Sequence, residues 1–239
     1  MTSPFLEIAA QTASDVQTAI GAGANQVELC EALDLGGMSP SLGLVEAAIE
    51  AAGEPGKVNV LLRPRAGGFH YTPGEIAIVS RDIEILRELS VGSVVIGALD
   101  DSNQVDFKAV ETWVEVANGL PVVFHRAIDV LTHPEQAVPS LAAAGVTRIL
   151  SSGGAPRALE GISTLGRMVE RSQGRIQILA GGGVQVPDIP ALLSVGVSGV
   201  HLSARHKVGM NQPSGPGGGE SGYWETDASI VKDAVAKLA

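Results

Sequence analysis

The stretch VVFHRAID (residues 122–129) is a run of apolar residues that ends in charged and polar ones, and it decides the fold. Three other runs have the same form: QVELCE (26–31), VNVLLRPR (58–65) and VHLSAR (200–205). A parallel strand that is covered on both faces is expected to be apolar throughout. Polar residues gathered at the carboxyl ends of several such strands therefore indicate a ligand site at that end, as in an α/β barrel.

Strand-like and helix-like stretches alternate along all 239 residues, a length close to the roughly 250 of one barrel of this kind. Strands are predicted at 5–10, 26–30, 57–63, 93–98, 121–126, 148–152, 176–181 and 199–204. Helices are predicted at 13–22, 41–52, 74–89, 106–117, 134–144, 157–172, 188–195 and 227–238. Eight such units favour a parallel sheet that closes on itself. We therefore predict an α/β fold, a (β/α)8 TIM barrel, as a single domain over residues 1–239.

A weak internal repeat supports this architecture. Gly23, Gly92, Gly145 and Gly196 each stand between a predicted helix and the apolar run of the next strand. Glycine tolerates the left-handed backbone conformation that commonly ends a helix. The repeat is therefore expected to mark the turn from each of these helices into the following strand.

One segment interrupts the alternation. Residues 211–222 read NQPSGPGGGESG, and this content of glycine, proline and serine cannot form a packed core. We predict a long flexible loop here, between the eighth strand and the last helix. Its position after the last strand puts it on the same face as the polar strand ends.

The charge, the apolar runs and the cysteine count limit the kinds of molecule that this protein is expected to bind. The net charge is −10 and no stripe of lysine or arginine is present, which disfavours nucleic acid and anionic membranes. No apolar run approaches the roughly 18 residues of a membrane span. Cys30 is the only cysteine, so an intramolecular disulfide is excluded and a reducing compartment is favoured. We predict a cytoplasmic protein without nucleic-acid or membrane partners.

Strand alternation assigns a direction to each polar residue. If the more apolar face of each strand packs on the helices, one polar set points into the barrel: Glu7, Glu28, Asn59, Arg63, His125, His201 and Ser203. Such a set is either a network of structural ion pairs or a binding site. Buried ionic groups are costly unless they are well paired, which favours a binding site for the set as a whole.

A small anionic or phosphorylated metabolite is one candidate ligand. Barrels often bind phosphate at the loops after strands seven and eight through backbone N–H groups, and Gly181 and Gly182 stand in the first of these loops. Glycines there also serve simply to reverse the chain. Arg63, Arg65 and Arg205 could add bidentate contacts to an anion.

An enzyme acting on such a metabolite needs groups that move protons. Glu28 and His125 are the candidates, since a glutamate or histidine reaches a suitable pKa once its surroundings perturb it. Arg126 follows His125 directly and is expected to point elsewhere, towards Asp129. That pair is either structural or part of the ligand site.

Copper is the other candidate ligand. Cys30, His125 and His201 are soft or borderline ligands, and Cu(I) prefers thiolate. A lone cysteine is more often a small buried hydrophobic residue. The spacing of these residues alone leaves a copper site open.

Several stretches together resemble a known family. They are VELCE (27–31), GGMSPS (36–41), LRPRAGGF (62–69), FHRAID (124–129), ILSSG (149–153), AGGGV (180–184) and HLSAR (201–205). From about residue 5 to 210, in unbroken order, the chain resembles the CutC family. The resemblance implies a (β/α)8 barrel, a cytoplasmic homodimer and a role in copper homeostasis.

The resemblance also implies roles for individual residues. Cys30 matches the family's cysteine on the second strand, a Cu(I) ligand in this interpretation. The matches to the family's cleft are Glu28, Arg63, Arg65, His125, Arg126, Asp129, His201, Ser203 and Arg205. Family members often carry a further cysteine on the first strand, where this chain reads EIAA (7–10), so one chain offers a single thiolate. Two functions are therefore expected as alternatives: copper homeostasis with copper near Cys30, or an enzyme acting on a small anionic metabolite.

Overall fold

Eight parallel strands form a closed barrel in the computed structural model, which describes residues 3–211, 215–216 and 221–238. The strands follow one another around the barrel in chain order, and the first pairs with the last. They are β1 (Phe5–Ala10), β2 (Gln26–Leu29), β3 (Val58–Leu61), β4 (Ser93–Ile96), β5 (Val122–Phe124), β6 (Arg148–Ser151), β7 (Gln177–Gly181) and β8 (Gly199–Leu202). The prediction of a (β/α)8 barrel is confirmed.

Every predicted helix is present. The helices are α1 (Ala13–Gly21), α2 (Leu42–Ala52), α3 (Pro73–Glu88), α4 (Phe107–Ala117), α5 (Pro134–Ala143), α6 (Ile162–Ser172), α7 (Ile189–Ser194) and α8 (Ala228–Val235). Within the described residues, short 3-10 helices lie at Leu33–Leu35, Pro55–Lys57, Arg126–Val130 and Val186–Asp188. Over the ranges that the structure describes, no helix is both long enough and apolar enough to cross a membrane.

The largest error in a predicted helix boundary is at the start of the sixth helix. Helix α6 begins at Ile162 instead of residue 157. The Ala158 N–H donates to the Gly182 carbonyl at 2.8 Å, and the Arg157 Nε–H donates to the Gly183 carbonyl at 3.2 Å. The segment before α6 is therefore hydrogen-bonded to the loop after β7 and does not extend the helix.

The apolar side chains form two buried clusters. The larger one lies between the barrel and its helices, and Trp113 is its bulkiest fully buried member. The Trp113 indole N–H donates to the Ile76 carbonyl at 3.1 Å, so this burial leaves the indole hydrogen-bonded. The smaller cluster lies on the inward face of the strands and consists of Cys30, Leu61, Val95 and Val123, with Leu33 packed against it. We call it the inner apolar cluster.

The glycine repeat has two different causes. Gly23, Gly145 and Gly196 have φ values of 104°, 92° and 86°, the left-handed conformation that the repeat predicts. Gly92 does not adopt it, and Ser90 takes the positive φ of 58° in that turn instead. A Cβ on Gly92 would lie 2.3 Å from a backbone oxygen of the loop before β3, so close packing requires glycine there.

A strand pair that the sequence analysis did not predict follows β8. Strand β9 (Arg205–Val208) pairs antiparallel with β10 (Tyr223–Thr226). The predicted loop 211–222 therefore connects these two strands, not the last barrel strand and the last helix. Residues 212–214 and 217–220 of that loop lie outside the described residues, and its predicted flexibility stays a prediction.

Candidate functional site

A cavity of about 420 Å³ opens at the carboxyl ends of the barrel strands. This volume falls in the range of ordinary small-molecule sites, roughly 300–1,000 Å³. Its charged and polar side chains are Glu28, Arg63, His125, Arg126, His201, Ser203 and Arg205. Each of them was a candidate from the sequence, and the structure brings them together around one space. Three arginines face it against one carboxyl group.

Arg65 is a candidate that the structure places elsewhere. Its Nε donates to Glu75 and its Nη2 to the His70 carbonyl, and its guanidinium lies 5.2 Å from the centre of the Tyr71 ring. These contacts hold the loop that leads into α3. Arg65 does not line the cavity, and its assignment to an anion-binding cleft is corrected.

Asp129 lies beside the cavity without lining it. Its carboxylate accepts hydrogen bonds from the Arg126 Nε–H at 2.9 Å, from the Ser151 hydroxyl at 2.6 Å and from the backbone N–H groups of Ser152 and Gly154. The predicted pairing of Arg126 with Asp129 is confirmed. Asp129 thus fixes the side chain of Arg126, which does reach the cavity.

The two predicted glycines differ in position. Gly182 lines the cavity, together with Gly183. Gly181 lies below it, where a Cβ would stand 2.5 Å from Leu150 Cδ1 and 3.1 Å from His201 Cβ. Gly181 therefore serves the packing of the strands, and its assignment as a ligand-binding residue is corrected.

A network centred on Glu7 forms the floor of the site. Glu7 Oε1 lies 2.8 Å from His201 Nδ1, and Glu7 Oε2 accepts hydrogen bonds from Asn59 Nδ2 at 2.7 Å and Gln26 Nε2 at 2.9 Å. Arg148 Nη1 lies 3.7 Å from the same carboxylate. The strand register produces this arrangement, because Glu7 is paired with Gln26 on one side and with His201 on the other.

The floor carries a buried ion pair. Burial alone would raise the pKa of Glu7, but the hydrogen bond and charge of His201 and the charge of Arg148 lower it below its ordinary value. Burial would likewise lower the pKa of His201, but the contact with Glu7 and the charge of Glu28 raise it. The contact therefore stabilises the charged form of each partner, a carboxylate at Glu7 and an imidazolium at His201.

Glu28 lies next to this pair, but one of its carboxyl oxygens has no hydrogen bond within the described residues. Its side chain is only 6% exposed, and its Oε2 has no hydrogen-bond partner in the described part of the chain. Burial raises the pKa of Glu28 to about 7, with the positive charge of His201 opposing the rise and Glu7 adding to it. Glu28 can therefore take up or release a proton near neutral pH.

His125 is held as a neutral imidazole with a known proton position. Its Nδ1 accepts a hydrogen bond from the Ala127 N–H at 3.1 Å, so the ring proton is on Nε2. Burial and the charge of Arg63 lower the pKa of His125 to about 3. A Cβ on Gly97 would lie 2.4 Å from Nδ1, so the ring packs directly on the backbone just after β4. The buried Nε2–H has no partner among the residues described.

Arg63 is a buried cation that contacts carbonyl groups. Its Nη1 donates to the carbonyls of Leu35 and Gly37 at 2.9 and 3.1 Å, and its Nη2 donates to the carbonyl of Gly67. The guanidinium lies 5.1 Å from the centre of the Phe69 ring. It is 6% exposed, and no carboxylate in the described ranges forms an ion pair with it. Its buried Nε–H is also without a partner there.

Arg205 brings in two residues that the sequence analysis missed. Its Nη2 lies 2.9 Å from Asp34 Oδ1, and its guanidinium stacks 4.3 Å from the centre of the Trp224 ring. Its Nη1 is buried and has no partner in the ranges described. The alternating run YWET (223–226) after the glycine-rich segment is a strand pattern that could have predicted this edge of the site.

The surroundings of Cys30 do not fit a Cu(I) site. Its side chain is fully buried in the inner apolar cluster, and it does not line the cavity. Burial, followed by the charge of Glu28, raises the pKa of the thiol above its ordinary value, whereas Cu(I) binds the thiolate. Within the described ranges, one group of three side chains has ligand atoms close enough to share a metal ion: Glu7, Glu28 and His201. That group contains no sulfur.

Comparison with known proteins identifies relatives of the whole barrel. A family model described as the CutC family matches residues 5–206. A CutC family protein of Xanthomonas axonopodis pv. citri is 39% identical over 239 residues, which cover 98% of each chain. A CutC family protein of Agrobacterium fabrum is 39% identical over 200 residues, 83% of this chain and 78% of that protein. The solved structure of CutC from Streptococcus agalactiae, a protein named for copper homeostasis, superposes with a TM-score of 0.78 at 33% identity, over 84% of this chain and 98% of that chain.

Proposed function

The chain belongs to the CutC family, and from the geometry of its site we propose that it is an enzyme acting on a small anionic metabolite bound at the carboxyl ends of the barrel strands. One observation carries the proposal. Arg63 is a buried cation, and no carboxylate in the described ranges pairs with it. The hydrogen bonds of Arg63 go to neutral carbonyl groups, which solvate its charge without neutralising it, and an anionic ligand in the cavity would supply the missing negative charge.

The unpaired polar atoms of the cavity support the same ligand class. Arg63 Nε, Arg205 Nη1 and His125 Nε2 are buried donors without partners in the described residues, and Glu28 Oε2 is a buried oxygen without one. Nearly all buried polar groups in proteins are hydrogen-bonded, so these atoms are suited to receive ligand atoms. An anion rich in oxygen supplies acceptors for the three donors, and a ligand hydroxyl group supplies a donor for Glu28.

Copper binding near Cys30 is the function that the family resemblance implies. The arginines of the cavity repel a cation, and Cys30 is a protonated thiol among aliphatic side chains. The geometry therefore favours the anionic metabolite. Copper binding, the cytoplasmic location and the homodimer stay predictions.

Thermal unfolding at low ionic strength tests the proposal. Inorganic phosphate, dihydroxyacetone phosphate and pyruvate serve as probes, and we expect at least one to raise Tm with increasing concentration, since a ligand that binds only the folded state stabilises it. Arg63→Gln should abolish that rise. Because Arg63 also holds backbone carbonyls, Arg205→Gln is a second variant, and it should weaken the rise.

The matched control removes the same charge from the outside of the barrel. Arg81 lies on α3, is largely exposed and pairs with Glu84. Arg81→Gln should therefore leave the ligand-induced rise in Tm unchanged. The proposal would be contradicted if the rise in Tm persisted in both Arg63→Gln and Arg205→Gln. It would also be contradicted if none of the anions raised the Tm of the wild-type protein.

A further inference from the structure

Resting on the proposed function, we propose that Glu28 and His125 form a base and electrophile pair that moves a proton at the carbon next to a carbonyl group of the bound ligand. The substrate class is then a small ketone or aldehyde that carries a phosphate or carboxylate group. The reaction class is enolisation, which underlies isomerases, epimerases and carbon–carbon lyases.

His125 has the geometry of a carbonyl-polarising group. Its tautomer is fixed by the Ala127 N–H, and the ring is held between Gly97, the residue after β4, and the Phe69 ring, 5.0 Å away between centres. The buried Nε2–H is therefore a donor of fixed direction on a residue that lines the cavity. Burial and the charge of Arg63 keep this imidazole neutral, and a neutral imidazole can stabilise the oxygen of an enolate by donating this hydrogen bond.

Glu28 has the geometry of the base. It lines the same cavity from β2, while His125 lines it from the end of β5, three strands further around a barrel of eight. The two side chains therefore face the lumen from different sides, with space for a ligand between them. The unpartnered Oε2 of Glu28 is the atom that can receive a proton. Burial raises the pKa of Glu28 to about 7 against the opposing charge of His201, so near neutral pH part of the protein carries the carboxylate that accepts the proton.

The proton transfer requires no cofactor. Glu28 Oε2 takes the proton from the carbon next to the carbonyl, and the electron pair of that C–H bond forms the carbon–carbon double bond of the enolate. The carbonyl π pair moves onto its oxygen, which the His125 Nε2–H stabilises. Arg63 and Arg205 hold the phosphate or carboxylate group. Return of the proton from Glu28 to the same carbon re-forms the C–H bond, the enolate electron pair returns from oxygen to the carbonyl, and the ketone is restored with its original configuration.

Deuterium exchange followed by proton NMR tests this step directly. In D2O the wild-type protein should replace C–H hydrogen of dihydroxyacetone phosphate or pyruvate with deuterium faster than buffer does. Glu28→Gln should slow the enzyme-dependent exchange by at least about 100-fold, a typical effect of losing a general base. His125→Ala should slow it by about 100- to 1,000-fold, as for the loss of an oxyanion donor. Glu46→Gln, on the exposed face of α2, should exchange at the wild-type rate.

The thermal-shift measurement separates the two proposals. If the anions raise the Tm of wild-type, Glu28→Gln and His125→Ala protein alike, the binding site is intact and the exchange rates report on chemistry alone. Wild-type protein that binds both probes without accelerating exchange would overturn the enolisation proposal and leave the anion site standing. Exchange at the wild-type rate in Glu28→Gln would overturn it as well. Wild-type protein whose Tm responds to none of the three anions overturns both proposals, and a response to phosphate alone overturns only the enolisation proposal.

Discussion

Replacing Glu28 with glutamine is expected to stabilise the protein above neutral pH. Folding raises the pKa of Glu28 from its ordinary 4.5 to about 7, mainly by burial. The folded chain therefore keeps a proton that the unfolded chain loses between these values. Stability is complete below about pH 4.5 and falls as the pH rises towards 7, because the unfolded chain binds fewer protons in this window.

The size of this fall follows from the two pKa values. Each tenfold change in proton affinity is worth about 1.4 kcal/mol, so a rise from 4.5 to about 7 corresponds to about 3 kcal/mol. Glutamine has nearly the same shape and no proton to lose, so Glu28→Gln escapes the penalty. Because glutamine also gives up the attraction to His201, about 3 kcal/mol is an upper limit for the gain.

Urea unfolding at pH 5 and pH 8 measures the effect. The free energy of unfolding of Glu28→Gln, relative to wild type, should increase by up to about 3 kcal/mol between the two pH values. Glu46→Gln, at an exposed position on α2, should show no such increase. If the difference between Glu28→Gln and wild type is the same at both pH values, or if wild type is the more stable protein at pH 8, Glu28 is not a carboxyl group that burial holds protonated.

Two further substitutions test the floor of the site and the copper interpretation. Glu7→Gln should lower the free energy of unfolding by about 3–5 kcal/mol at pH 7, because the new amide group faces donors from Asn59 or His201 whichever way it turns. The exposed Glu84→Gln should cost less than about 1 kcal/mol in the same urea experiment, and an equal cost in both variants would refute this account. Cys30→Ala should leave Cu(I) affinity unchanged in an anaerobic titration against a competing chelator, since the thiol is buried and protonated. Tight stoichiometric binding that this variant loses would instead establish Cys30 as a ligand.

The inward-facing residues could be predicted from the sequence because a strand alternates its side chains strictly. Glu7, Glu28 and Asn59 lie within β1, β2 and β3, where a period of two residues leaves no choice of direction. The closed barrel then brings residues on neighbouring strands into register, so that Glu7 meets His201 across the pairing of β1 with β8. For this part of the site, strand alternation and barrel closure were sufficient to predict which side chains point into the barrel.

Beyond the strand ends the same rule fails. Strand β3 ends at Leu61, so alternation does not determine the direction of Arg65, which lies in the following loop and pairs with Glu75. Strand β5 likewise ends at Phe124, and Asp129 lies beyond it in a 3-10 helix, where alternation does not apply. The partners of Arg205 come from distant segments: Asp34 follows β2, and Trp224 lies on β10. No local pattern encodes such contacts between distant parts of the chain.

Glu28 and Cys30 lie in the same family motif, VELCE (27–31), and this motif alone does not show which of them is functional. The two side chains share one face of the same chain segment, yet only Glu28 lines the cavity. The loop after β2 folds back over Cys30 so closely that a Cβ on Gly37 would lie 3.5 Å from Cys30 Cβ. Arg63 holds this loop through the carbonyls of Leu35 and Gly37. A metal ion that approached the thiol from this side would have to displace the loop and these hydrogen bonds, whereas Glu28 lines the open cavity. Access, more than the chemical type of the side chain, therefore favours Glu28 as the residue that acts on a ligand.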